Sequence, residues 1–312
     1  MLDVKRMRIL REVARRGSFS AAADSLYLSQ SAVSQQIATL ERETGARLID
    51  RTRSGPRLTD AGRVLTTHAD AIIARLAEAE RELDAIAGLE GGELRLGSFP
   101  SASAAILTQA VAEFSACHPL VSISVSEAEP EDAIPLLLAG ELDLALVFDY
   151  PGQPAAGQRD LDTRLLLEES MSLVLPASDP LAAQERLRLA DFAAANWLCG
   201  RRPSSCSQIT LDACRESGFE PRVAYESDDY NVLQGFVAAG LGYTLMPDVA
   251  LVNLRADLVA RPVEPAAPIR RIRAATRAEA SRSLATDAML EILARIGQQV
   301  AARSAERRLA AA

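Results

Sequence analysis

A chain of 312 residues with 48% hydrophobic residues has length for two or three domains and is excluded from the wholly disordered class. The net charge of −8 argues against nucleic acid for the chain as a whole, but its distribution reverses that. Residues 1–65 hold 12 Lys+Arg against 7 Asp+Glu, a balance of +5 that leaves −13 on the remainder, and a basic head on an acidic body is the footprint of a DNA-binding module joined to a part that avoids DNA.

In chain order, Val4, Met7, Leu10 and Val13 trace one apolar stripe of a first helix, with Asp3 as its N-cap and Gly17 as its stop. Ser18 or Ser20 opens a short second helix holding Phe19, Ala22, Ala23 and Leu26. Ser29 caps a third, in which Val33, Ile37 and Leu40 recur on one buried face. The other face carries Gln30, Ser31, Ser34 and Gln35, with no carboxylate until Glu41. Short hydroxyls and amides suit the edges of base pairs: Gln pairs bidentately with adenine, and Ser donates or accepts. Three helices with a tight turn make a helix-turn-helix, and the third is the expected recognition helix. Arg51-Thr52-Arg53-Ser54-Gly55-Pro56-Arg57 then alternates charge with turn residues, as a two-stranded wing offering Arg51, Arg53 and Arg57 to phosphates or a minor groove.

These residues resemble a known family. Gly17-Ser18-Phe19-Ser20-Ala21-Ala22-Ala23, Leu28-Ser29-Gln30-Ser31-Ala32-Val33-Ser34-Gln35-Gln36-Ile37, Leu40-Glu41 and Gly45-Ala46-Arg47-Leu48 are similar to the LysR-type transcriptional regulators, and the later layout extends the likeness over nearly the whole chain. Ser31 stands where many members carry Pro, and both residues fit a first helical turn.

From Thr59, Leu65, Ala69, Ile72, Leu76, Ala79, Leu83 and Ile86 recur at alternating spacings of four and three, a heptad seam that Gly88 ends. The helix is roughly 43 Å long at the α-helical rise. No partner helix of similar length lies nearby, so Leu65, Ile72, Leu76 and Leu83 are expected to pair with a second copy of the chain. A two-fold dimer implies a roughly palindromic operator. The resemblance implies the same linker helix and leans to a tetramer over a dimer.

After Gly92 the pattern changes to α/β: strands at Glu93–Gly97, Val121–Val125 and Leu142–Phe148 alternate with helices at Ala104–Cys117 and Ile134–Leu138, the latter bent or started at Pro135. This predicts a mostly parallel sheet. The loop Tyr150–Asp162 leads to strands at Leu165–Leu167 and Met171–Leu175, a helix at Ser207–Ser217, a strand at Val223–Ser227, a helix at Val232–Ala239 and a strand at Tyr243–Leu245. Pro262–Pro268 reads as the return crossing, before Ile269–Thr276, a helix near Leu284–Val300 and a frayed tail from Arg303. The fold class is therefore α/β with an N-terminal winged helix-turn-helix (1–58), a linker helix (59–88) and two α/β subdomains (92–163 with 267–304, and 164–266), which the resemblance pairs as in periplasmic binding proteins, with an effector cleft between them.

Gly97-Ser98-Phe99-Pro100-Ser101-Ala102-Ser103 follows the first strand of that region and opens a helix, the place where α/β sheets bind ligands and free N–H groups attract anions. Ser98, Ser101 and Ser103 are the expected contacts of a small, anionic effector. Arg201, Arg202 and Ser204 supply the opposing loop, and Phe148 an apolar wall.

No catalytic site is expected: the two histidines, His68 and His118, serve no recognisable triad, and Gly-x-Ser-x-Gly does not occur. No metal or other cofactor is expected, since neither Cys-x-x-Cys nor His-x-x-x-His occurs. Gly240-Leu241-Gly242 lies between a helix and a strand, the wrong order for a dinucleotide turn, and is read as close packing. Met1–Arg16 is a charged amphipathic helix rather than a signal peptide, and no stretch reaches a membrane span, so a cytoplasmic protein with no membrane partner and with Cys117, Cys199, Cys206 and Cys214 reduced is expected. The partners expected are double-stranded DNA, a small effector, a further copy of the chain, and RNA polymerase. The alternatives are a redox-sensing regulator using Cys206 and Cys214, as the peroxide-sensing branch of the family does in that region, and a small-molecule-binding protein without gene control.

Overall fold

The computed structural model describes residues 2–52, 55–87, 91–151, 160–202, 204–264, 267–278 and 282–311. They divide into two units, one of them built on Met1–Leu83 and the other holding most of the remaining chain.

In the first unit, helix α1 (Val4–Arg16) starts where the Asp3 carboxylate accepts from the Lys5 and Arg6 N–H groups, and it stops at Gly17 in the left-handed region. Helix α2 (Phe19–Ser25) is capped by Ser18 and α3 (Gln30–Thr44) by Ser29, whose hydroxyl accepts from Ala32 N–H at 3.1 Å. Met7, Leu10, Val13, Val33, Ile37 and Leu40 bury one shared core. The wing is an antiparallel pair, β1 (Ile49–Thr52) and β2 (Gly55–Leu58), with Asp50 opposite Arg57. Gly55 is required there: its φ is +112°, and a Cβ would stand 2.9 Å from the Gly17 carbonyl oxygen. Glu41 ties α3 to the wing by accepting from Leu48 and Ile49 N–H at 2.8 and 3.2 Å.

Helix α4 (Asp60–Ala87) begins where the Thr59 hydroxyl accepts from Gly62 N–H. The expected heptad seam divides along it. Leu65 and Ala69 are buried in the core of the first unit together with Ile73, whereas Ile72, Leu76 and Leu83 are exposed. Leu65 is thus a core residue of its own domain and not part of an outward stripe, because α4 as far as Ile73, about four turns, closes the helix-turn-helix core before the helix runs on.

In the second unit, β3 (Glu93–Ser98) leads into α5 (Pro100–Ala102), a π-turn (Ser103–Leu107) and α6 (Thr108–Cys117). Strand β4 (Ser122–Glu127), α7 (Pro130–Leu138) and β5 (Leu144–Asp149) follow. Helix α7 starts at Pro130, a residue that fits a first turn, and continues through Pro135, so it is longer than the sequence pattern indicated. Strand β6 (Leu161–Pro176) is one 16-residue strand where two short ones were expected. Then come β7 (Leu187–Arg188), β8 (Asn196–Cys199), α8 (Ser205–Glu216), β9 (Arg222–Glu226), α9 (Tyr230–Ala238), β10 (Thr244–Pro247), β11 (Leu258–Glu264), β12 (Ile269–Arg277) and α10 (Leu284–Ala311).

The main sheet runs β4-β3-β5-β12-β6-β11-β7, with β10 also on β6, and β8 pairs with β9 apart from it. It is mixed, not mostly parallel. β3 is parallel to β4 and β5, but β12 is antiparallel to both β5 and β6, and β6 is antiparallel to β10 and β11. The difference comes from the two return strands: β6 and β12 carry the chain out and back side by side, which imposes opposite directions. At Gly242 a Cβ would stand 2.7 Å from the Asn196 carbonyl oxygen, so the close approach there is to β8 and not, as expected, between α9 and β10.

Candidate functional site

The polar face of α3 is presented as its sequence implies. Gln30, Ser31 and Gln35 are exposed and Ser34 is half-buried, while Val33 and Ile37 are buried behind them. Ser29 is engaged twice, as the cap of Ala32 and with the Ser31 hydroxyl at 2.9 Å, so its first role is to fix the helix start. Arg57 is exposed on β2 and Arg51 lies in β1, whereas Arg53 falls outside the described residues. Between α1 and α2 Glu12, buried in the first unit, accepts from Arg15 at 2.8 and 3.0 Å, Arg16 at 2.8 Å and Ser25 at 2.6 Å. Burial pushes its carboxyl up, but these donors outweigh burial and hold it at about 2.

In the second unit the strongest chemistry lies on the two return strands. Arg270 of β12 and Glu169 of β6 are direct cross-strand partners, each only 1% exposed, with Nη2 to Oε1 at 2.7 Å. The Arg270 Nη2 also donates to Ser101 Oγ at 3.2 Å, and the other Glu169 oxygen accepts from Val249 N–H at 2.8 Å. Phe99 and Phe148 stand edge to face at 4.8 Å, and each ring centroid lies 5.2 Å from the guanidinium carbon. With 4.8 Å between the two rings and 5.2 Å from each to the guanidinium carbon, both rings lie on the same side of the Arg270 guanidinium.

Tyr150 packs on Phe148 at 5.7 Å, and its hydroxyl is buried without a hydrogen-bond partner among the described residues. The Tyr230 hydroxyl meets Cys206 Sγ at 3.3 Å. Burial, then Asp228 and Glu131, push the Glu129 carboxyl up to about 7 against the opposing pull of Arg270.

Of the expected effector contacts, Ser101 and Phe148 belong to this cluster. Ser98 is buried and bonded to the neighbouring Phe99 carbonyl, and Ser103 opens the π-turn. Ser204 is the N-cap of α8 in a capping box with Ser207, a structural role. Arg201 and Arg202 are corrected: both are solvent-exposed and already paired, with Asp228 and Glu226, each at 2.7 Å, so they are no free clamp.

Residues that sequence reading missed are Arg270, Glu169, Tyr150, Glu129 and Tyr230. A signal was present for two. Arg270 shares its strand face with Ile272 and Ala274, and Glu169 shares its face with Leu167 and Met171, so each is a charge at a buried position of a period-two pattern. Burial pushes the Cys199 thiol up to about 11 and Cys214 up to about 12, and raises Cys206 as well. Such thiols are poor nucleophiles, which weighs against thiolate chemistry at Cys206 and Cys214.

Residues 4–63 match the family model described as a bacterial regulatory helix-turn-helix protein of the lysR family, and residues 87–297 match the LysR substrate binding domain. The chain belongs to the LysR family. A probable HTH-type transcriptional regulator, LrrA, of Synechococcus elongatus is 30% identical over 307 residues, covering 96% of this chain and 99% of that one. Among solved structures, an OxyR mutant of Corynebacterium glutamicum shares the fold at a TM-score of 0.61 and 24% identity, covering 98% of this chain and 94% of that one. Full-length CbnR complexed with its target DNA does so at 0.61 and 21%, covering 95% and 100%. As a LysR-type regulator the chain binds operator DNA through its helix-turn-helix, takes a small-molecule effector in its C-terminal domain and is not an enzyme. Among the described residues no helix is long and apolar enough to cross a membrane.

Proposed function

We propose that this LysR-type regulator reads a roughly palindromic operator with Gln30, Ser31, Ser34 and Gln35 of α3, each copy placing one α3 in a major groove, while Arg51, Arg53 and Arg57 of the wing hold phosphates. Two copies join through the outward stripe of α4 at Ile72, Leu76 and Leu83, whose exposure on a long helix favours burial against a second chain. Each effector domain divides near residues 163 and 267. The effector is a small oxyanion-bearing molecule, received by the edge of Arg270 and the Tyr150 hydroxyl beside Ser101 and Phe148. Its binding changes the angle between the subdomains across β6 and β12 and so the spacing of the paired α3 helices. Coupling of this kind is worth about 1–3 kcal/mol. The protein acts in the cytoplasm, with RNA polymerase as a further partner.

The observation that carries this reading is the exposed, carboxylate-free amide and hydroxyl face of α3, fixed from behind by Val33, Ile37 and Leu40. Selection of bound duplexes from a random library by the full-length protein tests it. An enriched motif with two-fold symmetry is expected, and enrichment of single, unpaired sites goes against a dimer reading two grooves.

A further inference from the structure

The turn between α2 and α3 holds a residue with no role so far. Tyr27 is 97% exposed, the highest value among the exposed large hydrophobic residues of the described chain. It is also the only described non-glycine residue with positive φ, at +52°. A β-carbon in the left-handed region crowds the following carbonyl, so this conformation is unfavourable for tyrosine and natural for Asn or Gly. The turn is held there by Tyr27 N–H donating to the Asp24 carbonyl at 3.3 Å and Leu28 N–H donating to the Ala23 carbonyl at 2.9 Å. A bulky aromatic is thus held fully in solvent on a backbone that disfavours it, with no ring contact to another described residue.

Its position supplies the partner. Tyr27 is two residues ahead of the Ser29 cap, so its Cα lies within about 7.6 Å of the Ser29 Cα. The N-terminal residues of a recognition helix face base edges, and the flanking strand passes beside the preceding turn. The first amides of α3 also point toward that side, where anions are favoured. A phenol suits a DNA backbone: its hydroxyl donates to a phosphate oxygen without a charge, and its ring lies flat against deoxyribose.

We propose that Tyr27 is a sequence-independent DNA-backbone contact at the turn ahead of α3. Its hydroxyl donates to one phosphate beside the segment that α3 reads, and its ring covers the adjoining sugar. The assignment rests on α3 being the recognition helix. The contact is neutral, so it adds affinity without adding to the salt dependence, unlike the wing arginines.

The test uses the full-length protein, a duplex enriched by it from a random library, and a scrambled duplex of equal length. Tyr27→Phe removes the hydroxyl alone. Tyr27→Asn removes the ring and suits the left-handed turn, so it keeps the fold and leaves the thermal midpoint at or above wild type. Tyr27→Phe is expected to weaken both duplexes alike by about threefold to tenfold, the range of one net hydrogen bond, and Tyr27→Asn by more, with the ratio between duplexes and the salt slope unchanged. In a scan of single methylphosphonate substitutions, one position is expected to weaken wild type but not Tyr27→Phe. Unchanged affinity in both variants overturns the proposal, as does a loss confined to the enriched duplex or a scan in which no phosphate separates wild type from Tyr27→Phe. Gln30→Ala, measured alongside, separates the two readings. If it alters the duplex ratio while the Tyr27 variants do nothing, only the role of Tyr27 falls. If neither changes anything, α3 is not the reading element.

Discussion

Removing Glu169 should leave the effector domain with a charge it cannot solvate. The Glu169 carboxylate is the ion-pair partner of Arg270 at 2.7 Å, both side chains are 1% exposed, and two phenyl rings lie 5.2 Å from the guanidinium carbon. Breaking a buried pair on one side typically costs about 3–5 kcal/mol, because the remaining ion is uncompensated. Here Ser101 and the two rings retain part of the interaction with Arg270, which places Glu169→Ala near the lower end, about 3 kcal/mol. Replacing both charges by apolar residues of similar volume, Glu169→Leu with Arg270→Met, should restore stability to within about 1 kcal/mol of wild type. That double variant should nevertheless lose the effector response. Urea unfolding followed by fluorescence is the assay, since Trp197 is the single tryptophan and is fully buried in the same unit. With a slope of about 3 kcal/mol per molar, the single variant's midpoint should fall by about 1 M. A fall of less than a third of that, or a double variant no more stable than the single one, refutes the reasoning.

Other expectations follow from the same structure. Glu12, held at about 2, sits below its ordinary 4.5, so its contribution is fully present above pH 4.5 and is lost as pH falls toward 2. Solvent at Arg15 and Arg16 reduces it to about 2 kcal/mol, and Glu12→Gln should flatten the acid limb of the first unit's melting curve seen by circular dichroism. Glu129 has the opposite sign: raised to about 7, it lowers stability progressively as pH rises from 4.5 to 7, by up to about 3 kcal/mol, with no further change above 7. Glu129→Gln should abolish that slope in the Trp197 signal. Ile72→Asp or Leu76→Asp should dissociate the oligomer in sedimentation experiments while each chain stays folded. Leu65→Ala should instead destabilise the first unit by about 2–5 kcal/mol, because its side chain fills that unit's own core. Arg57→Ala should weaken binding to every duplex and reduce the salt slope by about one.

The first unit was almost wholly legible in the sequence because local signals decide it. Asp3, Ser18 and Ser29 cap the helices they were read to cap, with Ser18 rather than Ser20 opening the second, and Gly17 stops the first. The seam on α4 was legible as a period but not in its division, since nothing in a heptad says which positions are taken by the chain's own core. In the second unit, strand direction was misread because β6 and β12 pair across about 100 residues, a pairing that no local pattern records. The cluster proposed to take the effector was half legible. Ser101 follows a strand and opens a helix, which is a local cue. Arg270 was hidden in a run of arginines, and only its place on the buried face distinguishes it from Arg271 and Arg273. Arg201 and Arg202 looked available because their partners, Asp228 and Glu226, lie more than 20 residues away.

The most direct test of the central claim is the affinity ratio between an enriched duplex and a scrambled one for wild type and for Gln30→Ala with Ser34→Ala, at one fixed salt concentration. A base-reading face predicts that the ratio falls by about fivefold or more for each base left without its side-chain partner, since a good pairing discriminates by about 1–3 kcal/mol, while affinity for the scrambled duplex is retained. A ratio equal to that of wild type contradicts the assignment of α3 as the surface that reads the operator.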